Sequence, residues 1–283
     1  YGDSDWLDDS AADTLCDKLG DHAFAVRVAA LTLALDEMTP AELLKRIEAA
    51  PYKLAAPDGS EDEGRASVED LLAASLYTLD SEAREMFLAF GAFFTASLTP
   101  ALLALYFQRD RNAVEDALNR LQRRGLAERY AETAERTVEY RIHDLAYSYA
   151  RAQSDEAQHQ RALAACFAYL DKHPTPAHFA ALRSELDNFF GAATWAQTAG
   201  RHADVMRLAD RLYRSAEGSE GFLHLQGYAG LAITLLTQAV AAAQAAGDTR
   251  CQAAYLNNLG SAYSDRIRGE RAENLEQAIA CYQ

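Results

Sequence analysis

His143 and Asp144, in the run Tyr140-Arg141-Ile142-His143-Asp144-Leu145, are the residues whose types and placement best fit chemistry. They fall where a strand pattern gives way to a helix pattern. An imidazole beside a carboxylate at a helix start can hold a phosphate group and respond to its loss. A plainer reading stands beside this one. Asp144 caps a helix over 145–151, contributing on the order of 1 kcal/mol, and His143 fills the strand end. Catalysis has little support. The seven histidines include no H-E-x-x-H, and no Ser, Cys or Thr sits in a recognisable nucleophile motif. Adjacent His and Asp side chains seldom face each other as a triad requires. No G-x-x-x-x-G-K-[ST] loop is present to hold a phosphate. The chain therefore reads as a non-enzyme, with no catalytic residues, no metal site and no cofactor of its own.

The elements that position these residues are mainly helical. Thr39-Pro40-Ala41-Glu42 is a capping box with Pro at the first helical position. Ser67-Val68-Glu69-Asp70, Thr99-Pro100 and Asn112-Ala113-Val114-Glu115 open further helices, and Gly125 closes the last of them as a left-handed C-cap. The one clear strand is Val138-Glu139-Tyr140-Arg141-Ile142, apolar on one face and charged on the other, with 126–130 as its partner. Residues 81–152 thus read helix, helix, helix, hairpin, helix, a winged-helix order.

From about Asp155 onward the pattern is all helix. Leu256, Leu259, Gly260 and Tyr263 share one face, followed by Ala278 and Tyr282, and Gly227, Ala232, Leu236 and Ala239 repeat the small-and-large spacing. This is the packing logic of a tetratricopeptide repeat (TPR), with about six residues more than the usual 34-residue period. Asn257, Ser261 and Ser264 fall opposite the packing face. They are candidates for a groove that binds a protein partner or ligand, or for a plain solvated face.

Composition narrows the classes. The net charge is −15, and residues 1–80 carry 18 acidic against 6 basic side chains. No segment has the positive excess of a phosphate-backbone binder, so nucleic acid is disfavoured. Arg120, Arg123 and Arg124 read as a solvated or domain-contact cluster, with a DNA-reading helix end as the alternative. Cys16, Cys166, Cys251 and Cys281 form no C-x-x-C pair and read as buried thiols in a cytoplasmic protein. The uncharged stretches 89–108 and 221–247 carry Pro, Ser, Thr, His and Gln, and read as buried helix pairs rather than membrane spans. The absent initiator Met and the helical pattern running into Gln283 point to a piece of a longer protein. The domains expected are a helical subdomain over 1–60 with an acidic, mobile linker to 66, a winged helix over 67–152, and TPR-like repeats over 153–283, the last one truncated.

This order of parts resembles the NB-ARC branch of the STAND signal-transduction ATPases. In that family a nucleotide-binding domain precedes a small helical domain, a winged helix and a helical-repeat sensor. Residues 15–47 resemble the small helical domain and 68–151 the winged helix. Glu185-Leu186-Asp187-Asn188-Phe189, with Ala193 and Trp195, resembles the helical stretch after it in bacterial members. Arg141-Ile142-His143-Asp144-Leu145 is similar to the Met-His-Asp motif, with Ile for Met. The resemblance implies that His143 contacts the β-phosphate of bound ADP and that Asp144 braces the closed state. Gly20-Asp21-His22-Ala23-Phe24-Ala25-Val26 is similar to the Gly-Leu-Pro-Leu motif, which places Ala23 and Phe24 on the adenine side; Ala23 stands where the family has proline. The implied function is that of the regulatory portion of a nucleotide-switched protein. Its repeats sense a ligand or partner, its winged helix relays the signal, and ADP or ATP sits in an ATPase domain outside this sequence. A winged-helix transcription regulator and a passive TPR scaffold are the alternatives.

Overall fold

The computed structural model describes residues 9–48, 63–131, 138–214, 221–267 and 269–283. The chain is mainly helical with a small antiparallel sheet, and divides into two compact units, Tyr1–Gln160 and Arg161–Gln283. The expected linker lies largely outside the described residues. Its last part, 63–66, belongs to a helix.

The first unit opens with α1 (Asp9–Lys18), α2 (Ala23–Leu35), α3 (Pro40–Glu48) and α4 (Glu63–Tyr77). The capping box forms as its residues dictate. Glu42 accepts from the Thr39 amide at 2.8 Å while Thr39 Oγ1 accepts from the Glu42 amide at 3.3 Å. Ser67 does not cap α4. The helix begins four residues earlier and runs through it.

Next come α5 (Ser81–Ala92), β1 (Ser97–Leu98), α6 (Pro100–Phe107), α7 (Arg111–Arg123), β2 (Glu128–Ala131), β3 (Val138–Arg141) and α8 (Asp144–Ala152). Thr99 caps α6 as expected, with Pro100 in the first turn. The cap of α7 is Asp110, whose carboxylate accepts from the Asn112 amide at 2.8 Å, so this helix starts before Asn112. Gly125 closes it at φ +70°, where a side chain would also strike Leu31. β3 lies between β1 and β2 and is antiparallel to both. The β2–β3 register sets Glu128 opposite Arg141 and Arg129 opposite Tyr140. The inward face of β3 supplies Tyr140, and Ile142 follows it, both buried against a core that includes Phe87, Phe90, Phe93, Leu102 and Leu121. Tyr140 keeps its hydroxyl satisfied by donating to Asn119 Oδ1 at 2.8 Å.

α8 packs on α5 so closely that a Cβ on Gly91 would lie 2.1 Å from the Ala150 carbonyl. The carbonyls left open at the C-terminal end of α5 are met by side chains from this neighbourhood. Arg151 donates to Gly91 O at 3.1 Å and Phe93 O at 2.7 Å, Tyr147 donates to Phe93 O at 3.0 Å, and His159 Nδ1 lies 2.8 Å from Ala92 O.

α9 (Glu156–Lys172) runs across the division between the units. The second unit continues with α10 (Phe179–Ser184), α11 (Leu186–Thr198), α12 (His202–Tyr213), α13 (Phe222–Leu225), α14 (Ala229–Ala245), α15 (Thr249–Asp265) and α16 (Arg271–Tyr282). α11 packs on α12, α12 on α14, α14 on α15, and α15 on α16. Gly200 and Gly247, both near φ +70°, turn the chain between successive helices. Small residues carry the close contacts, as at Ala196, Val205 and Ala242. Gly260 lets α16 approach, because a Cβ there would sit 2.6 Å from the Tyr282 ring. Gly227 instead lies at φ +70° in the turn before α14, outside the helix whose pattern it was expected to share.

Among the described residues no helix is long and apolar enough to cross a membrane. The uncharged stretches fold as the end of α5 with β1 and α6, and as α13 with α14. The four thiols are free, but only Cys166 is buried. Cys16, Cys251 and Cys281 are half-exposed, against the expectation that all four are interior.

Candidate functional site

The two motifs far apart in sequence meet in one cleft of the first unit, about 390 Å³ in volume. The start of α2 supplies Ala23, Phe24 and Arg27. The α7–β2 connection and β2 supply Gly125, Leu126, Glu128 and Tyr130, and the β3–α8 junction supplies Arg141, Ile142, His143 and Asp144. Phe24 stacks on the His143 ring with centroids 4.3 Å apart and planes 7° from parallel. His22 meets the same ring edge-on at 5.6 Å.

His143, not Asp144, is the N-cap of α8. Its backbone is extended, and its Nδ1 accepts from the Leu145 amide at 3.2 Å. Asp144 is the first helical residue, where its carboxylate suits the positive end of the helix. It is 80% exposed and ion-paired with Arg141 at 3.3 Å. An Nδ1 that accepts from an amide must be unprotonated, so the neutral ring carries its proton on Nε2. Burial, reinforced by the charge on His22, lowers the pKa of His143, with Asp144 and Glu128 opposing.

The remaining charges of the cleft pair off. Arg27 bonds Glu128 at 2.6 Å and Tyr130 donates to the other carboxylate oxygen at 2.8 Å. The Arg27 bond, then the Tyr130 bond, hold Glu128 below the usual carboxylate range. With two guanidinium groups matched by two carboxylates, the cleft offers an aromatic face and an imidazole donor rather than a cationic phosphate cradle. No nucleophile is paired with a base here. Among the described residues, no group of three His, Cys, Asp or Glu side chains converges as metal ligands.

Arg27, Glu128 and Tyr130 escaped sequence reasoning. The strand register alone brings Glu128 to Arg141, but nothing local couples Arg27 to either. Ala23 is exposed and lines the cleft, while the apolar wall is the ring of Phe24.

Arg120 of α7 and Arg124 at its C-cap are engaged within the unit, whereas Arg123 is exposed and, among the described residues, bonds only the Asn119 carbonyl of its own helix, at 3.4 Å. Arg120 reaches Asp80 at 3.1 Å and Glu82 at 2.6 Å; Arg124 bonds Asp36 and the Thr78 hydroxyl, each at 3.0 Å. Burial raises the Asp36 carboxyl, but bonds from Arg124 and Arg46 outweigh it and leave the pKa below its ordinary value.

In the second unit Asn257, Ser261 and Ser264 all lie on α15, Asn257 exposed and the two serines half-exposed. The Ser261 hydroxyl lies within hydrogen-bond distance of the Tyr282 hydroxyl of α16, at 3.3 Å. The Ser264 carbonyl accepts from Arg271. The asparagine taken into the packing is Asn258, which bonds Arg214 through Oδ1 at 2.9 Å and Tyr213 through its carbonyl at 3.2 Å.

No family of known proteins matches the chain, and no curated protein matches it.

Proposed function

We propose that this chain is the regulatory and sensing portion of a nucleotide-switched signalling protein of the NB-ARC/STAND kind. A helix, a short strand, two helices and two further strands, in the sheet order β1-β3-β2, support reading the α5–α8 segment as a winged helix. The Gly260–Tyr282 approach and the serial helix packing support reading the second unit as TPR-like repeats that bind a protein or smaller ligand. One observation carries the proposal: the Met-His-Asp-like and Gly-Leu-Pro-Leu-like motifs, remote in sequence, meet ring on ring at Phe24 and His143.

The cap and latch roles of His143 are compatible. Accepting the Leu145 amide at Nδ1 fixes the tautomer and leaves Nε2–H as the donor for a phosphate oxygen. The switch needs two states differing by a few kcal/mol, biased by nucleotide at one end and by repeat-bound partner at the other. The internal ion pairs of Arg120 and Arg124 favour this relay over direct DNA reading.

The test is to read the gene upstream of the Tyr1 codon. A G-x-x-x-x-G-K-[ST] loop roughly 150–250 residues before it, the spacing of one nucleotide-binding domain, is the expected result. An upstream frame with no such loop overturns the assignment.

A further inference from the structure

We propose that His143 is a proton-operated cap: neutral, it closes the first turn of α8 and stacks on Phe24 of α2; protonated at Nδ1, it releases that turn. The geometry leaves the added proton one place to go. Nε2 already carries a hydrogen, and the Nδ1 lone pair is the acceptor for the Leu145 amide at 3.2 Å. A proton on Nδ1 sets two N–H groups against each other and places a cation at the positive end of the helix, so the hydrogen bond is lost rather than weakened.

The groups facing the ring decide where the change falls. At the start of α2 they are the N-cap His22, edge-on at 5.6 Å, and the stacked Phe24, with Arg27 lining the same cleft. From β2 they are Glu128 and Tyr130, from β3 Arg141, and from α8 Asp144. Glu128 and Asp144 favour the imidazolium, but Arg27 and Arg141 hold them at 2.6 and 3.3 Å. Burial acts against it most, then His22, with Arg141 adding to them. The cap therefore withstands mild acidification and fails below the ordinary histidine range of about 6.5. The released turn lies just before Tyr147, which bonds the end of α5. Loss of the cap thus loosens the junction that joins α2, β3 and α5.

The experiment is amide hydrogen exchange at Leu145, corrected for intrinsic rates, from about pH 7.5 to about pH 5. In the wild type, protection at Leu145 is expected to fall by about fivefold over this range, the worth of one cap. In His143→Asn, which caps without titrating here, protection is expected to stay within about twofold. His159→Gln is the control for the other histidine of this unit whose pKa burial lowers, and is expected to keep the fall. Equal loss in wild type and His143→Asn overturns the proposal, as does constant protection in the wild type. Should His143→Asn fail to fold, the wild type decides. The titration midpoint of the His143 ring resonances must match the midpoint of protection loss, and a mismatch overturns the proposal. The test requires no nucleotide, so its outcome is separate from that of the upstream reading frame.

Discussion

Phe24 lies face to face on His143, its ring within 7° of parallel at 4.3 Å, and so ties the start of α2 to the cap of α8. A half-buried stacked ring contributes both area and specific contact. Phe24→Ala is expected to destabilise the protein by about 1–2 kcal/mol in urea denaturation. The same change uncovers the imidazole, so the His143 pKa should rise toward its ordinary value in an NMR titration. An unchanged pKa would mean that Phe24 contributes nothing to the burial of the ring.

Arg124 and Asp36 form a second tie between α7 and the end of α2, with side chains only 16% and 13% exposed. Arg124→Ala leaves Asp36 with Arg46 alone and is expected to cost about 2 kcal/mol at neutral pH. Asp36 has a folded pKa below its unfolded value of 3.8. Its contribution is therefore present above 3.8 and lost as pH falls through the folded pKa. The stability gap between wild type and Arg124→Ala should narrow below that point, as urea melts on either side would show.

Two glycines separate rigid from yielding contacts. Gly91→Ala drives a methyl into the backbone of α8 and is expected to cost more than about 3 kcal/mol. Gly260→Ala meets first the ring of Tyr282, a 52% exposed side chain whose hydroxyl bonds that of Ser261, so a side chain rather than backbone must give way. Its cost should be about 1 kcal/mol and should vanish in a Tyr282→Ala background, a result that a double-mutant cycle reads directly.

Arg120 and Arg124 already face carboxylates inside the unit. The protein should therefore leave duplex DNA unshifted at low salt in an electrophoretic assay. A salt-dependent shift weakened by Arg123→Glu/Arg124→Glu would favour the transcription-regulator reading.

Features governed by neighbouring residues were legible in the sequence. Thr39–Glu42, Thr99-Pro100 and Gly125 act within one turn, and the strand through Tyr140 shows its alternation. β1 has two residues, too few for any period, and was missed. Asp110 and His143 cap one position or more before the residues expected: Asp110 is as good a cap as Asn112, whereas histidine is not a preferred cap, so nothing local favours His143 over Asp144. The candidate site was legible as two motifs but not as one cleft. The stack of Phe24 on His143 and the bond from Arg27 to Glu128 depend on how α2 docks, which no local spacing encodes.

The most direct test of the nucleotide-switch account is the ADP affinity of the full gene product, wild type against His143→Ala, by calorimetry. Loss of a hydrogen bond to a charged phosphate predicts an affinity at least about tenfold weaker in the variant. Equal ADP affinity in the two proteins would contradict the account.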